Sequence, residues 1–181
     1  MGKRMTSAGA NKLLKSWNDR IDYLYRTEAQ TYQYTEVEGV APVIPEYDFA
    51  SVRMEITLLN DKVVMLKHAL NMFNMNTWIE PLNMTVDKAL VKMKQLSRLK
   101  DRLNDMRNMQ PKALKPQLGV RSTNQVEYTV ANFSISEAEE SYDRISEELT
   151  RLQLELDIVN NTIQFEFDEE TGEATFGGWR Q

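Results

Sequence analysis

Amide and amino side chains recur along one face of a predicted helix, in a pattern that is suited to binding a small molecule. Arg53, Asn60, Lys67, Asn71 and Asn74 are spaced seven, seven, four and three residues apart, which places them on one side of a helix. Amide donors beside a lysine can receive a small polar or phosphorylated ligand. The favoured interpretation, however, is an internal hydrogen-bond network that fixes helix register or subunit pairing.

A second polar series runs along a helix near the C-terminus. It comprises Gln153, Asp157, Asn160, Asn161 and Gln164. If the two helices are parallel members of an up-down-up bundle, we expect Lys67 to face Gln153 or Asp157. Asn71 and Asn74 would then approach Asn160 or Asn161. The two series together form the candidate ligand site or polar network.

The sequence indicates neither a catalytic group nor a metal site. His68 is the only histidine and lacks a second histidine or a well-spaced carboxylate, and cysteine is absent. No Glu-x-x-His pair of the kind found in di-iron bundles occurs, and Gly177-Gly178 lacks the strand and helix of a phosphate loop. We therefore predict a non-enzymatic protein with no cofactor.

The central helix that would carry the first series has a continuous apolar seam. Its members alternate four and three apart and are Val52, Ile56, Leu59, Val63, Leu66, Leu70 and Phe73. A second stripe, Met54, Leu58, Met65, Ala69 and Met72, lies on another side. The helix, predicted to begin near residues 47–51 and end near Met75, should therefore be covered on two sides.

Three further helices are predicted around it. The first begins at a capping Asn11 and ends near Ala29, and the third is capped by Thr85 and ended by Pro111 and Pro116. The last begins at a Ser136–Glu139 capping box. Its seam comprises Ala138, Tyr142, Ile145, Leu149, Leu152, Leu156, Val159 and Ile163. The fold class expected is mainly α, an antiparallel bundle of about four long helices.

Short β-prone segments complete the prediction. Residues 31–37 suggest a β-like arm or ordered loop, residues 120–133 a short strand, and residues 163–176 a C-terminal hairpin that turns at Gly172. Residues 1–10 are predicted to be a flexible tail. The domain boundaries are therefore a tail at 1–10, a bundle at 11–162, and a hairpin with its tail at 163–181.

Charge is strongly segregated along the chain. Residues 88–121 carry ten basic and two acidic residues, a net +8, whereas residues 122–181 carry three basic and fourteen acidic residues, a net −11. The basic surface consists of Lys88, Lys92, Lys94, Arg98 and Arg102. It could bind nucleic acid, but the favoured interpretation is that a basic helix packs beside an acidic one.

The composition favours a cytoplasmic protein. With 41% hydrophobic residues a chain of 181 residues can build a core. The lack of cysteine gives no sign of an oxidising compartment. No signal peptide and no run of 18 apolar residues is apparent, so no membrane association is expected.

Two sequence segments resemble a known family. Residues 67–74, KHALNMFN, and the region from YTVANF at 128–133 through LQLELD at 152–157 to NNT at 160–162 are similar to the septicolysin-like family of uncharacterised helical proteins from bacteria and phages. The resemblance covers residues 11–167. It implies an all-helical subunit that assembles into a homo-oligomer, a hexameric ring in particular, and it implies no catalytic residues.

Three functional hypotheses follow. The first is a homo-oligomeric interaction or accessory factor, phage-associated and with a further protein partner, whose segments at 31–37 and 163–176 join subunits. The second is a binding module for a small anionic or nucleotide-like ligand at subunit boundaries, using Lys67, Asn71 and the basic helix. The third, less favoured, is nucleic-acid binding through residues 88–121.

Overall fold

The described part of the chain is dominated by four long α-helices. The computed structural model describes residues 2–114 and 126–177. The helices are α1 (Ser7–Thr31), α2 (Phe49–Asn76), α3 (Val86–Arg107) and α4 (Ile135–Thr162). The predicted mainly α fold with a short C-terminal hairpin is confirmed. None of these helices combines the length and the hydropathy that crossing a bilayer requires.

Short antiparallel strands close the ends of the helices. They are β1 (Lys3–Thr6), β2 (Trp78–Ile79), β3 (Met84–Thr85), β4 (Lys112–Leu114), β5 (Tyr128–Val130), β6 (Gln164–Phe167) and β7 (Ala174–Phe176). β6 lies between β1 and β7, β2 pairs with β3, and β4 pairs with β5. The predicted terminal hairpin is therefore the β6–β7 pair, and its turn has Gly172 at φ 74°.

The helices pack as two antiparallel pairs that share one core. α1 packs mainly against α2 and α3 mainly against α4, while α2 with α3 and α1 with α4 make smaller contacts. α2 and α4 thus lie diagonally across the bundle. The core is concentrated at the end where the three-stranded sheet lies, and Phe73, Phe165 and Phe167 are buried there. The Phe73 and Phe165 rings pack against each other at a tilt of 40°, with their centroids 5.4 Å apart.

Side-chain caps set where the helices begin. Asp48 and Thr85 accept hydrogen bonds from the backbone N–H groups of Ser51 and Lys88, as expected for N-caps. The predicted Ser136 cap is wrong by two residues, since Ser134 accepts from the N–H of Glu137. Both serines precede a glutamate by three positions, so the local pattern is ambiguous. The earlier start adds Ile135, which is half-buried and lies one turn before the buried Ala138.

The predicted flexible tail at residues 1–10 is wrong for residues 3–10. Residues 3–6 form β1, which pairs with β6 in a register that places Met5 opposite Phe165. Thr6, rather than Asn11, caps α1 by accepting from the Gly9 N–H. A four-residue strand has little periodicity of its own, and β1 exists because β6 offers a free edge to pair with.

The predicted β-like arm at residues 31–37 does not form a strand. α1 continues to Thr31, and residues 32–48 form a connection without regular structure. β-prone residues need a partner edge for their backbone groups, and none of the described strands pairs with this connection. For the extended segment predicted at 120–133, the structure has β5 at Tyr128–Val130, and residues 120–125 lie outside the described residues.

The seam of α2 is buried, but its second stripe is covered over only part of its length. Ile56, Val63, Leu66, Leu70 and Phe73 are buried. On the second stripe Ala69 is buried, whereas Met54 is 71% and Leu58 56% exposed. The expectation that α2 is covered on two sides is therefore wrong for its first half, because the shared core begins only at Val63.

Candidate functional site

A polar cavity of about 300 Å³ opens between the helices near the sheet. All four helices contribute to its lining. The lining residues are Ser7, Asn11, Leu14, Lys67, Leu70, Asn71, Asn74, Leu90 and Asn160. Residues 7–14 of α1 and residues 67–74 of α2 therefore face the same space as the last turn of α4.

The floor of the cavity is built by a hydrogen bond between helices. The Ser7 hydroxyl donates to Asn160 Oδ1 at 2.7 Å and lies 3.3 Å from the Asn160 backbone oxygen. Ser7 is 2% exposed, and Leu14 and Leu70 beside it are also buried. Because the bond uses the amide oxygen of Asn160, the amide Nδ2 of this residue remains a hydrogen-bond donor.

The wall and mouth carry further donors that have no partner among the described residues. Asn11, Lys67 and Asn71 are exposed at the mouth, and Asn74 is half-buried. Other helical asparagines behave differently: Asn18 and Asn76 donate to the carbonyl oxygens of Leu14 and Met72 in their own helices. The cavity amides therefore keep their donors for a molecule in the cavity or for water.

The charge of the lining is positive although the chain as a whole carries −5. Within residues 2–114 and 126–177, Lys67 is the one charged residue that lines the cavity, and no aspartate or glutamate of these ranges does so. Helix α1, whose first turn contains no acidic residue, begins at the floor of the cavity. The positive end of that helix dipole adds to the attraction for an anion.

The structure brings together part of the predicted set. Lys67, Asn71, Asn74 and Asn160 line the same cavity. Asn60, two turns before Lys67 on α2, is exposed and does not line it. Gln153, Asp157 and Asn161 are also exposed outside it, and Asn161 Nδ2 donates to the Asp157 backbone oxygen within α4. The prediction treated α2 and α4 as direct neighbours, whereas they are diagonal, so only their ends near the sheet approach one cavity.

Arg53 belongs to a different cluster at the other end of α2. It lies fourteen residues from Lys67, about 21 Å along a helix at 1.5 Å per residue. Its guanidinium forms an ion pair with Glu28 of α1 and lies 5.6 Å from the Tyr25 ring centroid. The Tyr47 hydroxyl donates to Glu28 Oε1 at 2.6 Å. That hydrogen bond raises the pKa of Tyr47, and burial and the Glu28 charge raise it further.

Ser7 and Asn11 were not predicted as site residues. The signal for Ser7 was present, because extending the Leu14–Trp17 seam backwards by four and three residues reaches Ala10 and Ser7, and both are buried. Asn11 was interpreted as the cap of the first helix and was therefore not considered as a cavity residue. Once Thr6 is the cap, Asn11 lies one turn beyond Ser7 on the side of α1 that lines the cavity.

The basic and acidic helices lie side by side, as the favoured interpretation of the charge pattern predicted. Lys92 Nζ of α3 is 2.5 Å from Glu148 Oε1 of α4. Arg107 and Lys100 lie over the Tyr142 ring at 3.6 and 5.2 Å from its centroid. The remaining members of the basic surface, Lys88, Lys94, Arg98 and Arg102, are exposed and form no ion pair with the described residues.

No group of three or more histidine, cysteine, aspartate or glutamate residues suited to a metal occurs in residues 2–114 and 126–177. His68 is exposed on α2 and does not line the cavity. The chemistry of the cavity is therefore that of hydrogen-bond donors and one amine.

Comparison with known proteins identifies the fold alone. The chain is similar to a solved protein from Corynebacterium diphtheriae, described as a functionally unknown conserved protein. The TM-score is 0.66 and the sequence identity 18%, over 90% of this chain and 99% of that chain. No protein-family model matches the chain, and no curated protein matches it either.

Proposed function

We propose that the chain is a non-enzymatic interaction protein that works as a homo-oligomer. The observation that carries the proposal is a group of large apolar side chains that the described residues leave exposed around the connection between α1 and α2. Burying these side chains against another subunit removes apolar area from water, which favours association.

The uncovered surface is apolar where α1 and α2 are joined. We name the arm surface as the exposed apolar residues of the connection and of the first half of α2. It consists of Tyr32, Tyr34, Val37, Val40, Val43, Ile44, Phe49, Met54 and Leu58. Val43 is 90% exposed. Nine large apolar side chains exposed within residues 32–58 are more than the single scattered ones expected on a soluble monomer, so this surface supports an interface.

A second copy of the chain is the occupant that the charges favour. One chain carries both a basic surface on α3 and exposed carboxylates on α4, among them Glu139, Glu140 and Asp143. Two copies can therefore place opposite charges against each other, which steers association and fixes its orientation. A contact between unlike surfaces generates a ring when the rotation between neighbouring copies closes on itself, and the hexameric ring implied by the family resemblance is the specific form of this proposal.

The segment at 163–176, which we also expected to join subunits, contributes to the core of its own chain. Phe165 and Phe167 of this hairpin are buried in the core of their own chain. The contact between subunits that we propose combines the arm surface with the charged surfaces of α3 and α4.

The direct test is the mass of the purified chain by native mass spectrometry and light scattering. Assembly predicts a multiple of 21.1 kDa, and Ile44→Glu should shift the mass towards the single chain. Gln153→Glu is the matched control, because it adds the same charge at an exposed position of α4 outside the arm surface. A wild-type chain that is monomeric at micromolar concentration contradicts the proposal.

Nucleic-acid binding through the basic surface is an alternative function that a separate experiment tests. It predicts affinity for DNA or RNA that falls steeply with salt. Under our proposal Arg98 and Arg102 serve a contact between copies, so titration with labelled nucleic acid should show no such binding. Native mass spectrometry of the protein isolated from its own host would also reveal a further protein partner.

A further inference from the structure

The polar cavity shares no residue with the arm surface. We propose that it binds a small organic anion, with a carboxylate or phosphate head group and a short apolar body. The lining residues of α1 and α2 lie where α1 begins and α2 ends, whereas the arm surface lies at the opposite ends of these two helices.

The head group is assigned by the donors. Lys67 supplies a positive charge at the mouth, and the amides of Asn71, Asn74 and Asn160 supply neutral donors around it. Lysine and amide donors without a competing carboxylate form a favourable site for an oxyanion, since hydrogen bonds to an ionised acceptor are the stronger kind. The described lining residues offer no negative charge to compensate a cation.

The size and the apolar part of the lining limit the rest of the ligand. A volume of about 300 Å³ is at the lower end of the range for small-molecule sites and excludes a peptide or a nucleic-acid strand. Leu14 and Leu70 are buried in the floor, and Leu90 forms a partly exposed rim. These three side chains can hold a short hydrocarbon or a ring, so an anion with such a body should bind more tightly than its head group alone.

Four probes separate these contributions: inorganic phosphate, phenyl phosphate, benzoate and neutral benzamide. Their binding to the full-length chain is measured by isothermal titration calorimetry. We expect phenyl phosphate or benzoate to bind, phosphate to bind more weakly, and benzamide not to bind. The ratio of the affinities for phenyl phosphate and benzoate identifies the preferred head group. Equal affinity for benzamide and benzoate would overturn the proposal. The absence of binding heat with every probe at about ten millimolar would also overturn it, because a specific metabolite site is occupied at lower concentrations.

Variants place the binding in the cavity. Lys67→Gln should weaken the affinity for the anion by about tenfold or more, whereas Lys94→Gln, at an exposed position of α3 outside the cavity, should leave it unchanged. Asn71→Asp introduces a negative charge at the mouth and should abolish binding. Unchanged affinity in both Lys67→Gln and Asn71→Asp would overturn the assignment.

Failure of this proposal and failure of assembly give different results. Ile44→Glu changes the arm surface only, so a dissociated chain should still bind the anion with wild-type affinity. Conversely, Lys67→Gln should leave the native mass unchanged while it weakens binding. Each measurement therefore tests one proposal without depending on the other.

Discussion

The hydroxyl of Ser7 donates to Asn160 Oδ1 at 2.7 Å and ties the first turn of α1 to the last turn of α4. The two residues are separated by 153 positions in the sequence. The bond is part-buried, and it positions the floor of the cavity on which the proposed anion site depends. It is therefore both a structural contact and the element that fixes the orientation of a binding amide.

Removing this hydroxyl should destabilise the fold. Ser7→Ala removes a part-buried hydrogen bond between α1 and α4, and we expect the free energy of unfolding to fall by about 1 kcal/mol. Urea denaturation followed by circular dichroism measures the change. Ser16→Ala, at an exposed position of the same helix, is the control and should alter the stability by less than about 0.5 kcal/mol. Equal effects of the two substitutions would contradict the role of the bond.

Gly172 in the β6–β7 turn should tolerate no side chain. Its φ is 74°, and an added Cβ would lie 2.6 Å from Met65 Sδ. We expect Gly172→Ala to lower the free energy of unfolding by about 2–3 kcal/mol through strain and overpacking together. Gly39 has φ 82° and nothing within 4 Å of a built Cβ, so Gly39→Ala should show only the backbone cost of about 1 kcal/mol. A Gly39→Ala variant as unstable as Gly172→Ala would rule out the contact with Met65.

Between α3 and α4 the apolar seam should outweigh the ion pair. Lys92 and Glu148 side chains are 42% and 37% exposed, and pairs exposed to this extent contribute about 0–1 kcal/mol. Leu149 is buried at the next position, and truncation of a buried leucine costs about 2–5 kcal/mol. We therefore expect Leu149→Ala to lower the free energy of unfolding far more than Glu148→Gln. Chemical denaturation of both variants at low and high salt compares them, and a larger effect of Glu148→Gln would refute this ranking.

Tyr47 should titrate at a higher pH than an ordinary tyrosine. Its hydrogen bond to Glu28, followed by burial and the Glu28 charge, raises its pKa. The resulting stabilisation is fully present below the usual tyrosine pKa of about 10 and is lost as the pH rises through the raised value. The tyrosinate absorbance of the wild type minus that of Tyr47→Phe isolates this group. Tyr34→Phe, in the exposed connection, supplies the control curve, and a Tyr47 transition at or below the ordinary value would contradict the hydrogen bond.

The helices could be predicted from the sequence because their seams repeat over many turns. Leu66, Leu149 and Leu156 are all buried, as their four-three spacing predicts. The cavity was predicted in part for the same reason, since Lys67, Asn71 and Asn74 occupy one helical face. What local periodicity does not contain is which helices are neighbours, and the diagonal placement of α2 and α4 removed Gln153 and Asp157 from the site.

The short elements depend on partners that are distant in the sequence. β1 forms at the edge of β6. Ser134 caps α4, although Ser136 two residues later fits the same local pattern. Met54 and Leu58 fit a second packing stripe by their spacing alone, yet they are exposed because the shared core starts farther along α2. Tertiary context decides all three cases.

The pairing of β1 with β6 has a consequence for the order in which the chain folds. Lys3 lies opposite Phe167, so this ladder closes a loop of nearly the whole chain, and its entropic cost is met only after the helices have brought the two strands together. We expect the α1–α2 and α3–α4 hairpins to form early and the sheet to zip last. During synthesis the Lys3–Thr6 segment therefore remains unpaired until the ribosome has synthesised β6.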